Sequence, residues 1–216
     1  FILIILILIM NVGIVTANLK KSPYEEIYII PIEGVIEKGQ TSFIQRSIKE
    51  AEKDGAQFII FEINTPGGLI DASVKISESI IDTNIPTIAL IKNEAISAGV
   101  LIAISCDKIY MIPGSNIGAA EPRPKEEKIV SYWTSKLESV AEMKGRDEKI
   151  IAAMADADIE IPGIVEKGKL LSLTAGEAEE HGIADGIVNS RKELFNSLDL
   201  QIDKTIEMKP TPGEKV

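Results

Sequence analysis

The sequence predicts an α/β domain with a mainly parallel sheet and flanking helices. Three observations predict it. Apolar runs of strand length, "IYIIPIEGVI", "QFIIFEINTPGG", "TIALIK" and "KIYMIPG", recur through the first half of the chain. Segments with helical spacing separate them. The resulting βαβα order calls for parallel strands joined by crossovers that cover the sheet. The 216 residues, 45% of them apolar, suffice for one domain with a sizeable core.

The elements follow in order. The opening "FILIILILIMNVGIVTAN" is too short and too abruptly ended for a clear membrane span. Residues 1–17 read as the apolar centre of a secretory signal, with Val15-Thr16-Ala17 as a small-residue cleavage site, or as a retained membrane anchor. Either reading puts the rest of the chain on the extracytoplasmic side. The initiator Met and a positive leader are missing, so the sequence reads as a fragment at this end. The folded domain is expected over 24–200. After the first strand, 41–53 has helical spacing, with Phe43, Ile44, Ile48 and Ala51 on one side. The second strand ends in a Pro-Gly-Gly turn, and 69–83 forms an amphipathic helix broken by Asn84-Ile85-Pro86. The third strand leads into a small-residue helix beginning near Ser97. After the fourth strand come a long helix over 129–144 and a second one, "DEKIIAAMA". Thr174 and Glu177 make a capping box for the short helix "AGEAEEHG". "IADGIV" is a short extended piece, "RKELFNSLDL" a last helix, and 201–216 a polar, Pro-rich tail.

Composition excludes several functions. A net charge of −10, spread along the chain, argues against nucleic acid, whose phosphate backbone a basic patch would have to neutralise. The single cysteine, Cys106, cannot form an internal disulfide and sits in an apolar run as a small hydrophobe. One histidine and one cysteine cannot build a usual zinc site, and no EF-hand, GxxxxGK or GxGxxG spacing occurs. No metal and no nucleotide cofactor is expected.

Sites on parallel sheets gather beyond the carboxyl ends of strands. Two turns qualify. In Asn64-Thr65-Pro66-Gly67-Gly68 the paired glycines can turn backbone N–H groups toward an oxyanion; a plain tight turn is the alternative. In "NEAISAGVLIAIS" Ser97 stands at a helix start, where developing negative charge is favoured. There it is either a helix cap or a nucleophile. A serine nucleophile needs a base. His181, at the end of a short helix, is one candidate, although a dipole-capping role suits it better. A buried lysine is another. On the long helix Ile129, Trp133, Leu137, Val140 and Ala141 form an apolar stripe, and Lys136 flanks it. Lys136 is therefore a shielded amine or a lysine that snorkels to water.

"FEINTPGG", "NEAISAGVLIAISCDKIYMIPGSNIGAAEP" and "SLTAGEAEEHGIADGIV" together resemble the Clp/crotonase superfamily, and more closely the NfeD family of membrane-bound serine proteases. The resemblance runs over 26–195 and implies a Clp/crotonase-like fold with ββα-type repeats. It implies an ATP-independent endopeptidase with a Ser–Lys dyad: Ser97 as nucleophile, Gly67 and Gly68 in the oxyanion turn, and the N–H of Ala98 as second donor. For the lysine, one register gives Lys136; a register two residues on gives Glu138, which cannot serve. The resemblance implies apolar polypeptide substrates, a stomatin-like membrane protein among them, and a homodimer or larger assembly. It also implies that full-length members continue into membrane helices and a small β-barrel, so this chain reads as the protease domain alone. The same fold could instead bind a stomatin-like partner without cutting it. A crotonase-like acyl-CoA enzyme is the second rival, disfavoured by the acidic charge and the export signal.

Overall fold

The computed structural model describes residues 25–199 and 202–215. The segment read as a signal or anchor, 1–17, lies outside the described residues. Among the described residues no helix is long and apolar enough to cross a membrane.

Four parallel strands form the centre: β1 (Glu25–Glu33), β2 (Phe58–Thr65), β3 (Thr87–Ile96) and β4 (Lys108–Met111). Helices α1 (Lys38–Asp54), α2 (Ile70–Asp82) and α3 (Ala98–Ser105) make the crossovers between them. The expected α/β architecture is thus present. Alternation along each strand supplies two cores. Tyr28, Ile30 and Ile32 of β1, with Ile59, Phe61 and Ile63 of β2, enter the larger one with α1, α2 and α3. Ile27, Ile29, Ile60, Ile88 and Leu90 point the other way, into a smaller core closed by Leu194. Every residue of α3 is buried, which is why its sequence carries no polar stripe.

β3 runs four residues beyond the expected "TIALIK". Its first part, Ile88–Ile91, pairs with β4, and Glu94–Ile96 pair with a new short strand, β5 (Asn116–Gly118). The polar Lys92-Asn93-Glu94 hides this continuation. Beyond β5 come α4 (Glu127–Met143), α5 (Glu148–Ala155), β6 (Ser172–Thr174), α6 (Ala175–Glu180), β7 (Gly186–Ile187) and α7 (Arg191–Ser197). The Thr174–Glu177 capping box is formed as expected. Of the stripe read from the sequence, α4 buries Trp133, Leu137, Val140 and Ala141, while Ile129 in its first turn is only half-buried.

The tail expectation for 201–216 is corrected. Ile202–Glu207 form an eighth strand, β8, parallel to β1 at the sheet edge, and Met208 is buried. Pro212–Glu214 make a 3-10 turn tied to α1, where Arg46 Nε and Nη2 donate to Glu214 at 2.8 Å each. The charged residues of "IDKTIE" suit an edge strand with one ladder partner, and such a strand lacks the continuous apolar run that marks a central one.

Candidate active site

Ser97 lies at the hinge between β3 and α3. Its backbone is at φ 54° and ψ −117°, a region that costs a side-chain-bearing residue conformational energy and persists only where neighbours enforce it. The neighbours are identifiable. The Ser97 N–H donates to Gly118 O at 3.1 Å, and its carbonyl accepts from Val100 N–H at 2.9 Å. Behind it, Gly99 packs so closely on Thr65 that a Cβ there would stand 2.6 Å from Thr65 Cγ2.

The Pro-Gly-Gly turn presses against this hinge from the end of β2. A Cβ on Gly67, which sits at φ +104°, would come within 2.6 Å of Ser97 Cβ, and one on Gly68 within 2.2 Å of Ile36 O. Only glycines fit both positions. The fully buried Thr65 locks the turn: its hydroxyl donates to Gly34 O at 2.6 Å and accepts from Gly67 N–H at 3.0 Å. Flanking bonds run from Ile36 N–H to Gly67 O and from Leu69 N–H to Ile36 O. The Gly68 and Ala98 N–H groups bond to no protein acceptor among the described residues. Ala98 opens α3, so its N–H is one of the helix's orphan donors.

Ser97 and Gly68 line one cleft of about 1040 Å³. α1 and α2 form one wall, with Leu69 and Ile70 at its lip, and the 119–123 loop forms the other. Trp133 of α4 fastens that loop by donating from Nε1 to Ala120 O at 2.7 Å. The cleft therefore holds Ser97 and the unpaired Gly68 amide between walls that mix apolar side chains, Leu69, Ile70 and Trp133, with polar and charged ones, Gln45, Lys38, Lys75 and Arg123.

The structure brings together Ser97, Gly67, Gly68 and Ala98. It does not bring Lys136 to them. Lys136 sits one helical turn beyond Trp133, does not line the cleft, and directs Nζ toward Glu78 Oε1 of α2 at 3.8 Å. His181 caps the end of α6 through its own N–H to Glu177 O and is also outside the cleft. Cys106 is buried at the end of α3, and burial pushes its thiol up to about 12, as suits an inert packing residue. Among the described residues no three His, Cys, Asp or Glu side chains are placed to hold a metal ion. The reading of the sequence missed Thr65 as the organiser of the turn; its signal was a β-branched hydroxyl residue directly before Pro-Gly-Gly. It also missed Lys38, Lys75 and Arg123, which line the cleft but come from three separate segments.

Residues 26–208 match the family model described as NfeD1b, N-terminal domain. Membrane protein NfeD1b of Bacillus subtilis is 35% identical over 201 residues, covering 90% of this chain and 46% of that protein. Membrane-bound protease PH1510 of Pyrococcus horikoshii is 31% identical over 182 residues, covering 78% and 38%. The chain thus spans less than half the length of these two relatives. Among solved structures, the 1510-N membrane-bound stomatin-specific protease, as a lysine-to-alanine mutant in complex with a substrate peptide, superposes with a TM-score of 0.76. It is 26% identical and covers 89% of this chain and 96% of that one. ClpP1 from Listeria monocytogenes, 19% identical with a TM-score of 0.63, shares the fold over 77% of this chain and 94% of its own.

Proposed function

The chain belongs to the family of NfeD1b N-terminal domains, and on that premise we propose that it is a membrane-associated serine endopeptidase acting on apolar polypeptide segments, those of a stomatin-like membrane protein included. The carrying observation is Ser97 itself, held at positive φ on the first turn of a buried helix, beside the unpaired amides of Gly68 and Ala98. Relatives named as a membrane-bound protease and as a stomatin-specific protease support the reading.

The chemistry is acyl transfer. Ser97 Oγ attacks the peptide carbonyl while its proton passes to an amine. The Gly68 and Ala98 N–H groups hold the oxygen that becomes negative. The amine returns the proton to the leaving nitrogen, and water then cleaves the acyl-enzyme. The family resemblance offers Lys136 for that amine in one register and Glu138, which cannot serve, in the other, and the apolar stripe of α4 favours Lys136. Lys136 is paired with Glu78 here, so the dyad requires it to exchange Glu78 for Ser97 when substrate fills the cleft. In this reading the protein works as a homodimer or larger assembly on the extracytoplasmic side of a membrane.

The placement of Lys136 outside the cleft favours a second reading, in which the domain binds a stomatin-like partner without cutting it. One experiment separates the two. Purified protein is incubated with apolar peptides, and cleavage is followed by mass spectrometry. Peptidase action predicts cleavage that Ser97→Ala lowers on the order of a thousandfold. Lys136→Ala gives a similar loss, unrescued by Lys136→Arg. Cleavage that survives Ser97→Ala overturns the nucleophile; cleavage that survives Lys136→Ala overturns the dyad. Tight peptide binding with no cleavage by the unmodified chain selects the binding module.

A further inference from the structure

The cleft has a charge character opposite to that of the chain. The protein carries a net charge of −10, yet Lys38, Lys75 and Arg123 line the cleft and form no ion pair among the described residues. Of the two carboxylates on its walls, Glu121 is held by Lys125 at 2.5 Å, which leaves Asp71. A second hollow adjoins the cleft, sharing Ser42 and Gln45 with it, and continues along α1 past Lys49 and Lys53. Its carboxylate, Glu50, is bound by Arg46 Nη1 at 2.9 Å. Positions 38, 42, 45, 49 and 53 recur every three or four residues, so they share one exposed face of the helix. The unpaired cations thus form a track that leaves the Ser97 cleft along α1.

We infer that this track binds acidic side chains of the same polypeptide whose apolar stretch enters the cleft. The inference rests on the proposal that the cleft takes a polypeptide, and it deepens it by naming the substrate class: apolar at the scissile region, acidic in the flanking segment. The dimensions agree. From Lys38 to Lys53 the helix advances about 22 Å, which an extended peptide spans with about six or seven residues. Lys38 and Lys75 line the cleft itself, where their field is focused on a bound chain, and Lys49 and Lys53 continue it over the open, shallow hollow beyond. Neutralising them with substrate carboxylates also supplies selectivity against basic segments.

The test uses the Ser97→Ala protein, which separates binding from any cleavage. Fluorescence anisotropy compares labelled peptides with one apolar core and a flank of glutamates, glutamines or lysines. The acidic flank is expected to bind about tenfold more tightly than the neutral one at low salt, and the advantage to shrink in concentrated salt. Charge reversal at Lys38 and Lys75 should invert the preference for residues next to the core. Reversal at Lys49 and Lys53 should do so only for residues placed further out. Equal affinity for the three flanks overturns the inference. So does a preference that ignores all four reversals, or binding to vesicles of anionic phospholipid that depends on these lysines while the peptides show no preference. The peptidase reading fails separately: an unmodified chain that binds acidic peptides selectively and cleaves none refutes cleavage and upholds the track.

Discussion

Two polar neighbourhoods of this molecule handle charge in opposite ways. On the sheet face of the smaller core, the buried carboxylate of Glu62 accepts from Arg191 Nε at 2.7 Å and from Lys92 Nζ at 3.3 Å, and Arg191 also reaches Glu207 at 2.7 Å. Every charge there has a partner, and the partners come from β2, β3, α7 and β8. At the ends of the strands, around Ser97, polar groups are left open among the described residues: two amides without acceptors, lysines without carboxylates, a serine at positive φ. The first arrangement fastens late elements onto the sheet. The second stores unfulfilled interactions that a ligand can complete, at the cost of local strain. Substitutions in the first region should therefore reduce stability and spare peptide binding, and those in the second should do more to the ligand than to the fold.

The largest expected effect blurs this division, because one position serves both ends. Gly68→Ala would place Cβ 2.2 Å from Ile36 O and 2.5 Å from Ile36 N. Both are backbone atoms that cannot swing aside. The turn must detach from the 33–36 segment, with a loss of about 3 kcal/mol in stability and of the Gly68 amide from the site. Denaturant melts and peptide binding should both fall. Next is Glu62→Ala. It leaves Arg191 without its buried partner, and a cost of about 2–4 kcal/mol is expected in denaturant melts, with peptide affinity for the Ser97 cleft unchanged. The same network has a pH signature. Burial alone would raise the Glu62 carboxyl, but the Arg191 hydrogen bond and the charges of Arg191 and Lys92 outweigh it and hold the group below its ordinary value. Stability from Glu62 is then complete above the unfolded value of about 4.3 and is lost as pH falls through the lower folded value. The stability curves of the unmodified chain and of Glu62→Gln should converge as acid is added.

The sequence made one of these regions far easier to read than the other. Ser97 and the paired glycines are contiguous in short motifs, and the strand-then-helix pattern on either side placed them at strand ends. The four central strands were legible as continuous apolar runs of strand length, and α1 and α2 by apolar residues at every third to fourth position, while α3 is buried all round. The Glu62 network was not, because its central pair, Glu62 and Arg191, lies 129 residues apart and each member looks like an ordinary surface charge. Lys136 shows the limit most clearly. Its flanking position on the apolar stripe of α4 was correctly inferred, but a helix face can turn toward the cleft or toward a neighbouring helix, and only packing decides. Here it turns toward Glu78 of α2. β8 was missed because its ladder is to β1 alone, across nearly the whole length of the chain.

A sharper test of the comparison is Thr65→Val. Valine keeps the methyl that packs against Gly99 and removes only the hydroxyl. The Gly34 carbonyl and the Gly67 N–H lose their partner, at a cost of about 1–3 kcal/mol. The turn then loosens where it touches Ser97. Peptide cleavage, or peptide affinity if the domain only binds, should fall by more than the stability change alone implies, whereas Thr65→Ser should restore most of both. If Thr65→Val weakens the fold and leaves peptide handling intact, the open region is not held by its threonine.

The smallest effect is expected at the C-terminal turn. Glu214 is held at about 2, mainly by its hydrogen bonds to Arg46, against the opposing effect of burial. Its contribution is present above the ordinary glutamate value of about 4.3 and disappears as pH falls toward the folded value. The pair lies at the surface, so Glu214→Gln should leave the global melt nearly unchanged. It should instead speed amide exchange in β8 and the 212–214 turn, which Arg46 ties to α1. The unmodified chain should show the same loosening only once the pH drops below about 4. Arg46 lies on the hollow that extends the cationic track and stays paired with Glu50, so removing the Glu214 charge makes that hollow one charge more positive. Affinity for a peptide with a distant acidic flank should then rise slightly, and a fall would mean that the turn positions the track rather than competing with its ligand.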